Sequence, residues 1–325
     1  MNKLLPVVIG TGLLISGAAN AADIKAPTVY GRAHIQVGMI DNENGSATQV
    51  SSRASRFGIK GDYELDAGIT AVYKLEFEVN ISDDAKSGDD HIKGRAQYAG
   101  IKGSFGEIRV GRHDTAYKSS TSKFELWGDT YADYNNILDK SEHDERADNS
   151  INYLNKFNDF SLAISYAAGD SDKDNITDDN EKSRFSIGGK YKVGGLLIGG
   201  GYEDVDSASS AAKIGASYNF DAFTLGGVVE SVDKEAAGED ETNILLTASV
   251  KVGKNGSIKA VYGKTDIDDS SVEDPTMIAI GYNHKFNKKA SIYVQAVSSQ
   301  DDGMSEAGKV SGDATVFATG LKFNF

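Results

Sequence analysis

The sequence predicts an all-β fold, a 16-stranded antiparallel transmembrane β-barrel. Three observations predict it. Alternating segments of about ten residues recur from end to end. Short turns and longer acidic connections alternate between them. Beyond the first twenty residues, no apolar run approaches the length a spanning helix needs. In lipid, only helices and closed barrels satisfy every backbone N–H and C=O, so a membrane chain without such helices must close its sheet.

The alternation is read strand by strand. Val29, Gly31, Ala33, Ile35, Val37 and Met39 share one face of the first segment, and Arg32, His34 and Gln36 share the other. The third sets Ile69, Ala71, Tyr73, Leu75, Phe77 and Val79 against Thr70, Lys74, Glu76, Glu78 and Asn80. The same period places Phe160, Leu162, Ile164 and Tyr166 together, then Ile214, Ala216, Tyr218 and Phe220, then Ile244, Leu246, Ala248, Val250 and Val252. Strands are expected at 28–39, 51–64, 68–80, 92–103, 105–112, 146–155, 159–169, 182–193, 195–204, 209–220, 222–231, 241–252, 256–265, 276–286, 289–298 and 313–325. The even number suits a bacterial single-chain barrel.

Short turns are expected at 66–67, 103–104, 156–159, 194–195, 253–256 and 287–289. Long acidic connections are expected at 41–50, 82–91, 169–181, 231–240, 266–275 and 300–312. Short turns on one rim and long loops on the other is an outer-membrane arrangement. Aromatic residues gather at strand ends, as in Tyr218 with Phe220, Tyr282 with Phe286, and Phe323 with the terminal Phe325, where they would form interfacial girdles. Phe317, Leu321, Phe323 and Phe325 share a face, and a free C-terminal Phe on such a strand resembles a barrel-assembly signal.

The ends and the composition agree. Residues 1–21 read as a cleavable signal peptide: Lys3, an apolar stretch over 4–15, then small residues closing on Ala19-Asn20-Ala21. Residues 22–325 then form a single domain with no linker or composition break. Cysteine is absent, so no disulfide framework is expected in this exported chain. Gly at 36 and Pro at 3 suit many strands joined by tight turns. A formal net charge of −14 argues against nucleic-acid binding. A mean hydropathy of −0.37 fits strands that face lipid on one side and water on the other.

One connection stands apart. Between Arg112 and Arg146 lie 33 residues without clean alternation, including the only tryptophan, Trp127. A connection this long is commonly functional. Here the chain resembles the Gram-negative general diffusion porins, in "SRFGIKG" at 55–61, "KGRAQYAGIKGSFGEIRVGRHDTAY" at 93–117, "FELWGDT" at 124–130, "RADNSINYL" at 146–154 and the terminal "GLKFNF". The order and spacing match over nearly the whole mature chain, and the acidic loops suggest the OmpU-like branch. The resemblance implies a homotrimer and a loop after the fifth strand that folds into the lumen as a constriction. It implies a pore constriction of Arg56, Arg95, Arg112 and Arg146 opposite Glu125 and Asp129. The family's usual Pro-Glu-Phe-Gly-Gly-Asp run reads Phe-Glu-Leu-Trp-Gly-Asp here, with Trp127 where Gly is common.

Periodicity speaks to two of these residues on its own. Arg95 shares a face with Lys93 and Gln97, and Arg56 with Lys60, and an arginine facing lipid at the midplane costs about 2–4 kcal/mol, so both belong in the lumen. The parity of Arg112 next to Gly111 is ambiguous. The function implied is passive passage of ions and small hydrophilic solutes across the bacterial outer membrane, with weak cation selectivity from the acidic loops. Lipid and lipopolysaccharide would surround the barrel, and no cofactor is implied.

An adhesin or structural barrel would use the long acidic loops and hold its lumen plugged. A barrel enzyme would gather His with Ser or Asp, but His113 and Asp114 are neighbours on a strand and point apart, while His34 faces the lumen. A sugar-selective channel would line its lumen with aromatics, which here fall mostly on the lipid face. The acidic runs at 170–174 and 266–269 offer oxygen ligands for Ca²⁺, but solvated surface charge is the better reading. "GGLLIGGG" at 194–201 is no dinucleotide fingerprint, since no helix follows; it reads as a turn plus small residues on a tight wall, and its Gly199–Gly201 stretch suggests close packing between subunits.

Overall fold

The computed structural model describes residues 26–82, 91–138, 143–169, 182–235, 240–269, 271–305 and 309–325. The expected signal peptide and the acidic run at 170–174 lie outside them, as does most of the expected loops at 82–91 and 169–181.

The chain forms one closed antiparallel barrel of 16 strands. The strands are β1 (Thr28–Asn42), β2 in two segments (Gly45–Ser52 and Arg56–Glu64), β3 (Thr70–Val79), β4 (Ile92–Gly103), β5 (Gly106–Asp114), β6 (Arg146–Phe157), β7 (Phe160–Ala167) and β8 (Arg184–Val193). They continue with β9 (Leu196–Val205), β10 (Ser209–Asn219), β11 (Phe223–Lys234), β12 (Glu241–Val252), β13 (Gly256–Ile267), β14 (Thr276–Lys285), β15 (Ala290–Gln300) and β16 (Ala314–Asn324). Each pairs with its neighbours in sequence, and β1 pairs with β16 to close the ring. Closure is completed by Phe325, which exchanges two backbone hydrogen bonds with Gly31. The Phe325 ring lies so close over Gly31 that a Cβ there would sit 2.2 Å from it.

Alternation decides the two surfaces. Outside, Val29, Met39, Val110, Ile214, Leu246, Ile280 and Phe317 are all exposed, as a lipid-facing wall requires. Inside, His34, Gln36, Glu230 and Asn243 are buried. The expected girdle forms at strand ends: Phe220 lies 4.6 Å from both Tyr218 and Phe223, and Phe323 stacks on Phe325. No helix among the described residues is long and apolar enough to cross a membrane.

The structure corrects two local expectations. Residues 41–50 are not a long loop, because β1 runs on to Asn42 and β2 starts at Gly45, leaving a tight turn. Ser46, Thr48 and Gln49 are polar but continue the ladder, so polarity alone hid a strand. Strand β2 is then broken at Arg53–Ser55, where Ala54 takes a positive φ of 47°. The second correction is to parity on β4. The register against β3 slips between Leu75 and Phe77, so Gln97 stands opposite Leu75 on the outer face and Tyr98 opposite Lys74 on the inner one. Arg95, on the other side of this bulge, still points inward. A bulge inserts one residue and reverses alternation beyond it, which period-two reading cannot register.

Candidate functional site

The long connection turns into the barrel. It begins with α1 (Ala116–Thr121), capped by the Thr115 hydroxyl, which accepts from the Lys118 N–H at 3.1 Å. The Ala116 N–H donates to Ser165 at 2.8 Å and Ser186 at 3.1 Å on the inner wall. At the other end of the helix, Lys190 Nζ donates to the Ser119 carbonyl at 2.7 Å, satisfying a group that the helix leaves open.

Glycines on the wall make this docking possible. A Cβ on Gly188 would lie 2.3 Å from the Ala116 carbonyl oxygen, and one on Gly199 would lie 2.3 Å from that of Ser120. Gly215 meets Phe124, Gly263 meets Ile137 and Gly281 meets Trp127. Gly199 and Gly201 therefore face the inward loop and not a second subunit, which corrects the suggestion drawn from "GGLLIGGG" for these two, while Gly200 lies on the other face beside Ile214.

Beyond the helix, Phe124, Trp127, Tyr131, Ile137 and Leu138 pack on a wall of Val228, Leu245, Val261, Met277, Val297 and Val316. Full burial of each large apolar side chain is worth about 1.5–3 kcal/mol. Part of the inner wall is thus apolar and covered by the loop, where uniform alternation suggests a wet face. Trp127 lies 5.9 Å from Tyr293, and Lys259 Nζ sits 4.7 Å above its ring.

The tip of the loop carries the charges. Asp129, in a left-handed conformation with φ 62°, accepts from Arg32 at 2.8 Å and Arg56 at 2.9 Å. Burial alone would raise its carboxyl, but Arg56, Lys322 and Arg32 outweigh that and hold it below the ordinary range. Lys322 Nζ donates to the Gly128 carbonyl at 3.2 Å and Lys259 Nζ to that of Leu126 at 2.6 Å. Behind the tip, Glu125 is pushed well up by burial and by the neighbouring Asp133 and Asp129. Asp133 is also raised by burial, although it accepts N–H bonds from Asn135 at 2.9 Å and Asp129 at 2.6 Å. Burial and the repulsion of the neighbouring Asp129 push both carboxyls up.

Of the six residues expected at the narrow zone, Arg56 and Asp129 meet directly. Arg95 bonds Glu76 at 3.1 Å and also Glu78 on the adjacent strand, and Glu76 further accepts from Tyr30 at 2.8 Å and pairs with Lys74 at 3.1 Å. Glu125 is turned into the loop. Arg112 pairs with Asp148 at 2.6 Å and Arg146 with Asp114 at 3.0 Å, where the loop leaves and rejoins the wall. Three cations were missed. Arg32 stands on the polar face of the first strand, Lys322 opposite the apolar face of the last, and Lys259 in "SIKAVYG"; alternation points all three inward, but says nothing of which wall the loop tip meets. Arg53 was missed as well: the break in β2 brings its guanidinium 4.3 Å above the Tyr131 ring.

The family model of the Gram-negative porins matches residues 7–303. The chain belongs to the Gram-negative porin family. It is an outer-membrane barrel of that family, similar to outer membrane protein U of Vibrio vulnificus, at 30% identity over 216 residues, 61% of this chain and 60% of that protein. The chain thus spans about three fifths of that relative's length. A second outer membrane protein U, from Vibrio parahaemolyticus, is 25% identical over 96% of this chain and 98% of its own. Among solved structures, the anion-selective porin from Comamonas acidovorans superposes with a TM-score of 0.77 at 21% identity, covering 92% of this chain and 99% of that one. OmpF of Salmonella typhi, in complex with daunomycin, gives 0.73 at 16% identity, covering 92% and 97%. At these identities the likeness to solved structures speaks for the fold.

Proposed function

We propose that this porin is a general diffusion channel, passing ions and small hydrophilic solutes passively across the outer membrane. The observation that carries the reading is the loop tip inside the barrel, where Asp129 stands against Arg32 and Arg56. The charged cluster at the tip orients the water and polar solutes beside it, while an apolar solute must displace ordered water without replacing its hydrogen bonds. The pore constriction in this reading comprises Asp129, Arg56 and Arg95, joined by Arg32, Lys259 and Lys322. Glu125 shapes the turn that presents Asp129, and Arg112 and Arg146 brace the two ends of the loop.

Selectivity follows from two opposed zones. The net charge of −14 and the acidic loops enrich cations at the mouth, while the basic side chains around Asp129 oppose them within. The proposal is weak cation selectivity as the net result. It further includes a homotrimer, cleavage of residues 1–21 on export, and a surround of lipid and lipopolysaccharide. The test is conductance in a planar bilayer under a salt gradient. Stepwise openings in threes with a cation-positive reversal potential are expected. A silent membrane with correctly folded protein would move the chain to the adhesin reading, and a clear anion preference would sink the selectivity assignment.

A further inference from the structure

Away from the loop tip, one carboxylate gathers partners from every part of the inward loop. Asp144 lies near the loop's end and its side chain is fully buried. It accepts from Lys118 Nζ on α1 at 3.0 Å, from Tyr134 Oη at 2.8 Å and Asn135 Nδ2 at 2.9 Å in the middle of the loop, and from Lys213 Nζ on β10 at 2.6 Å. Lys118 also donates to the Asp144 backbone carbonyl. The start, middle and end of the loop therefore meet the wall at a single group. A second layer surrounds it. Lys213 lies 3.8 Å above the Tyr117 ring, Tyr117 Oη donates to Glu230 at 2.6 Å, and Asn243 donates to the other Glu230 oxygen at 3.0 Å. Next to Asp144, His143 bonds Glu203 and Ser209 on the wall.

The Asp144, Lys213, Tyr134, Tyr117 and Glu230 side chains at its centre are buried between the loop and the wall. Charge-assisted bonds in a desolvated site are the strong ones, and removing one partner strands the others. Glycine-lined packing seats individual side chains of the loop, whereas a fourfold-coordinated carboxylate ties its start, middle and end together at one point on the wall. We infer that Asp144 is a positioning residue that latches the inward loop to the β10 wall and thereby holds the aperture set by Asp129. The inference rests on the channel reading for its consequence, but not for the latch itself.

Two measurements separate these. Lys123 is exposed on the loop, so trypsin reports its undocking without any current. In heat-modifiable, folded D144N, nicking after Lys123 is expected to rise on the order of tenfold, the loss of one charged hydrogen bond. K213M should act in the same direction, with the double variant no worse than D144N, because both break one contact. In the bilayer, D144N should spend about tenfold less time at the full-conductance level and close at lower voltage. D144E should recover part of both. Folded D144N that resists trypsin like the wild type would overturn the latch. Faster nicking with wild-type current would overturn its link to the aperture. If the wild type itself is silent, the channel reading fails, and the trypsin result alone still decides the latch.

Discussion

Asp129→Asn removes the negative charge of the loop tip while keeping its shape. Asp129 is held ionised by Arg56, Lys322 and Arg32, so at neutral pH the substitution deletes a full charge. Burial is substantial but the tip borders water, so a water-like dielectric is the conservative choice. A unit charge about 5 Å from a passing ion then contributes ~0.8 kcal/mol, and about 0.5 kcal/mol after screening at 0.1 M salt. That is about twofold in local occupancy for each sign of ion, and so about fivefold in the ratio of cation to anion permeability. The assay is the reversal potential across a salt gradient at pH 7, with heat-modifiable migration confirming the barrel. Asp269→Asn serves as a control, since the Asp269 carboxylate bonds Ser271 in its own turn, away from the loop tip. A fall of about fivefold in D129N, with little change in D269N, supports the charge placement. Folded D129N that keeps the wild-type ratio would refute it, because an ion path remote from Asp129 is the remaining explanation.

Three further outcomes are expected. Gly263→Val sets a Cβ 2.5 Å from Ile137 Cγ1, and overpacking of about 1–3 kcal/mol should undock the loop and quicken trypsin nicking, with relief by a second change of Ile137→Ala. Leu246→Arg places a charge on the lipid face of β12 at a cost of about 2–4 kcal/mol, visible as a lower unfolding temperature on heat-modifiability gels. The Glu125–Asp133 pair gives a pH dependence of defined sign. Both carboxyls are raised above their ordinary values, so the folded loop binds more protons than the undocked one once pH passes the normal carboxylate range, and docking weakens as pH rises through that window. Nicking after Lys123 should therefore be faster at pH 8 than at pH 5, and Glu125→Gln should flatten the profile; an unchanged slope in E125Q would assign it elsewhere.

Sequence reasoning reached the barrel because its logic is local. Met39, Leu246 and Phe317 lie outward by the same alternation that turns His34 and Asn243 inward, and each strand repeats the argument. It failed where alternation is interrupted. The slip between Leu75 and Phe77 moved Gln97 outward, and the tight turn after Asn42 replaced an expected loop. Family motifs set Arg56 opposite Asp129, and the two are in contact, yet Arg32, Lys259 and Lys322 join them only through closure and through the path of the loop. That path is a tertiary fact. No period in residues 115–145 tells which wall receives Phe124 or Trp127, and the receiving glycines read as turn or packing residues until their partner is known.

The loop also explains an oddity of the inner wall. A water-filled barrel has no reason to bury Leu245, Met277 and Val316 on its inward face, where each would be exposed to solvent if the lumen were open. They are buried because Trp127, Tyr131 and Ile137 cover them, and those three in turn fit only where Gly281, Gly38 and Gly263 leave room. Hydrophobic burial drives the loop against this sector, while the opposite sector keeps Arg95, Glu76, Glu78 and Arg109. The asymmetry has a consequence for transport. In the proposed channel, solutes would pass on the polar side, along a passage narrower than the strand number implies and lined by the charged residues of that sector. Widening such a channel takes displacement of the loop, not trimming of side chains at its tip.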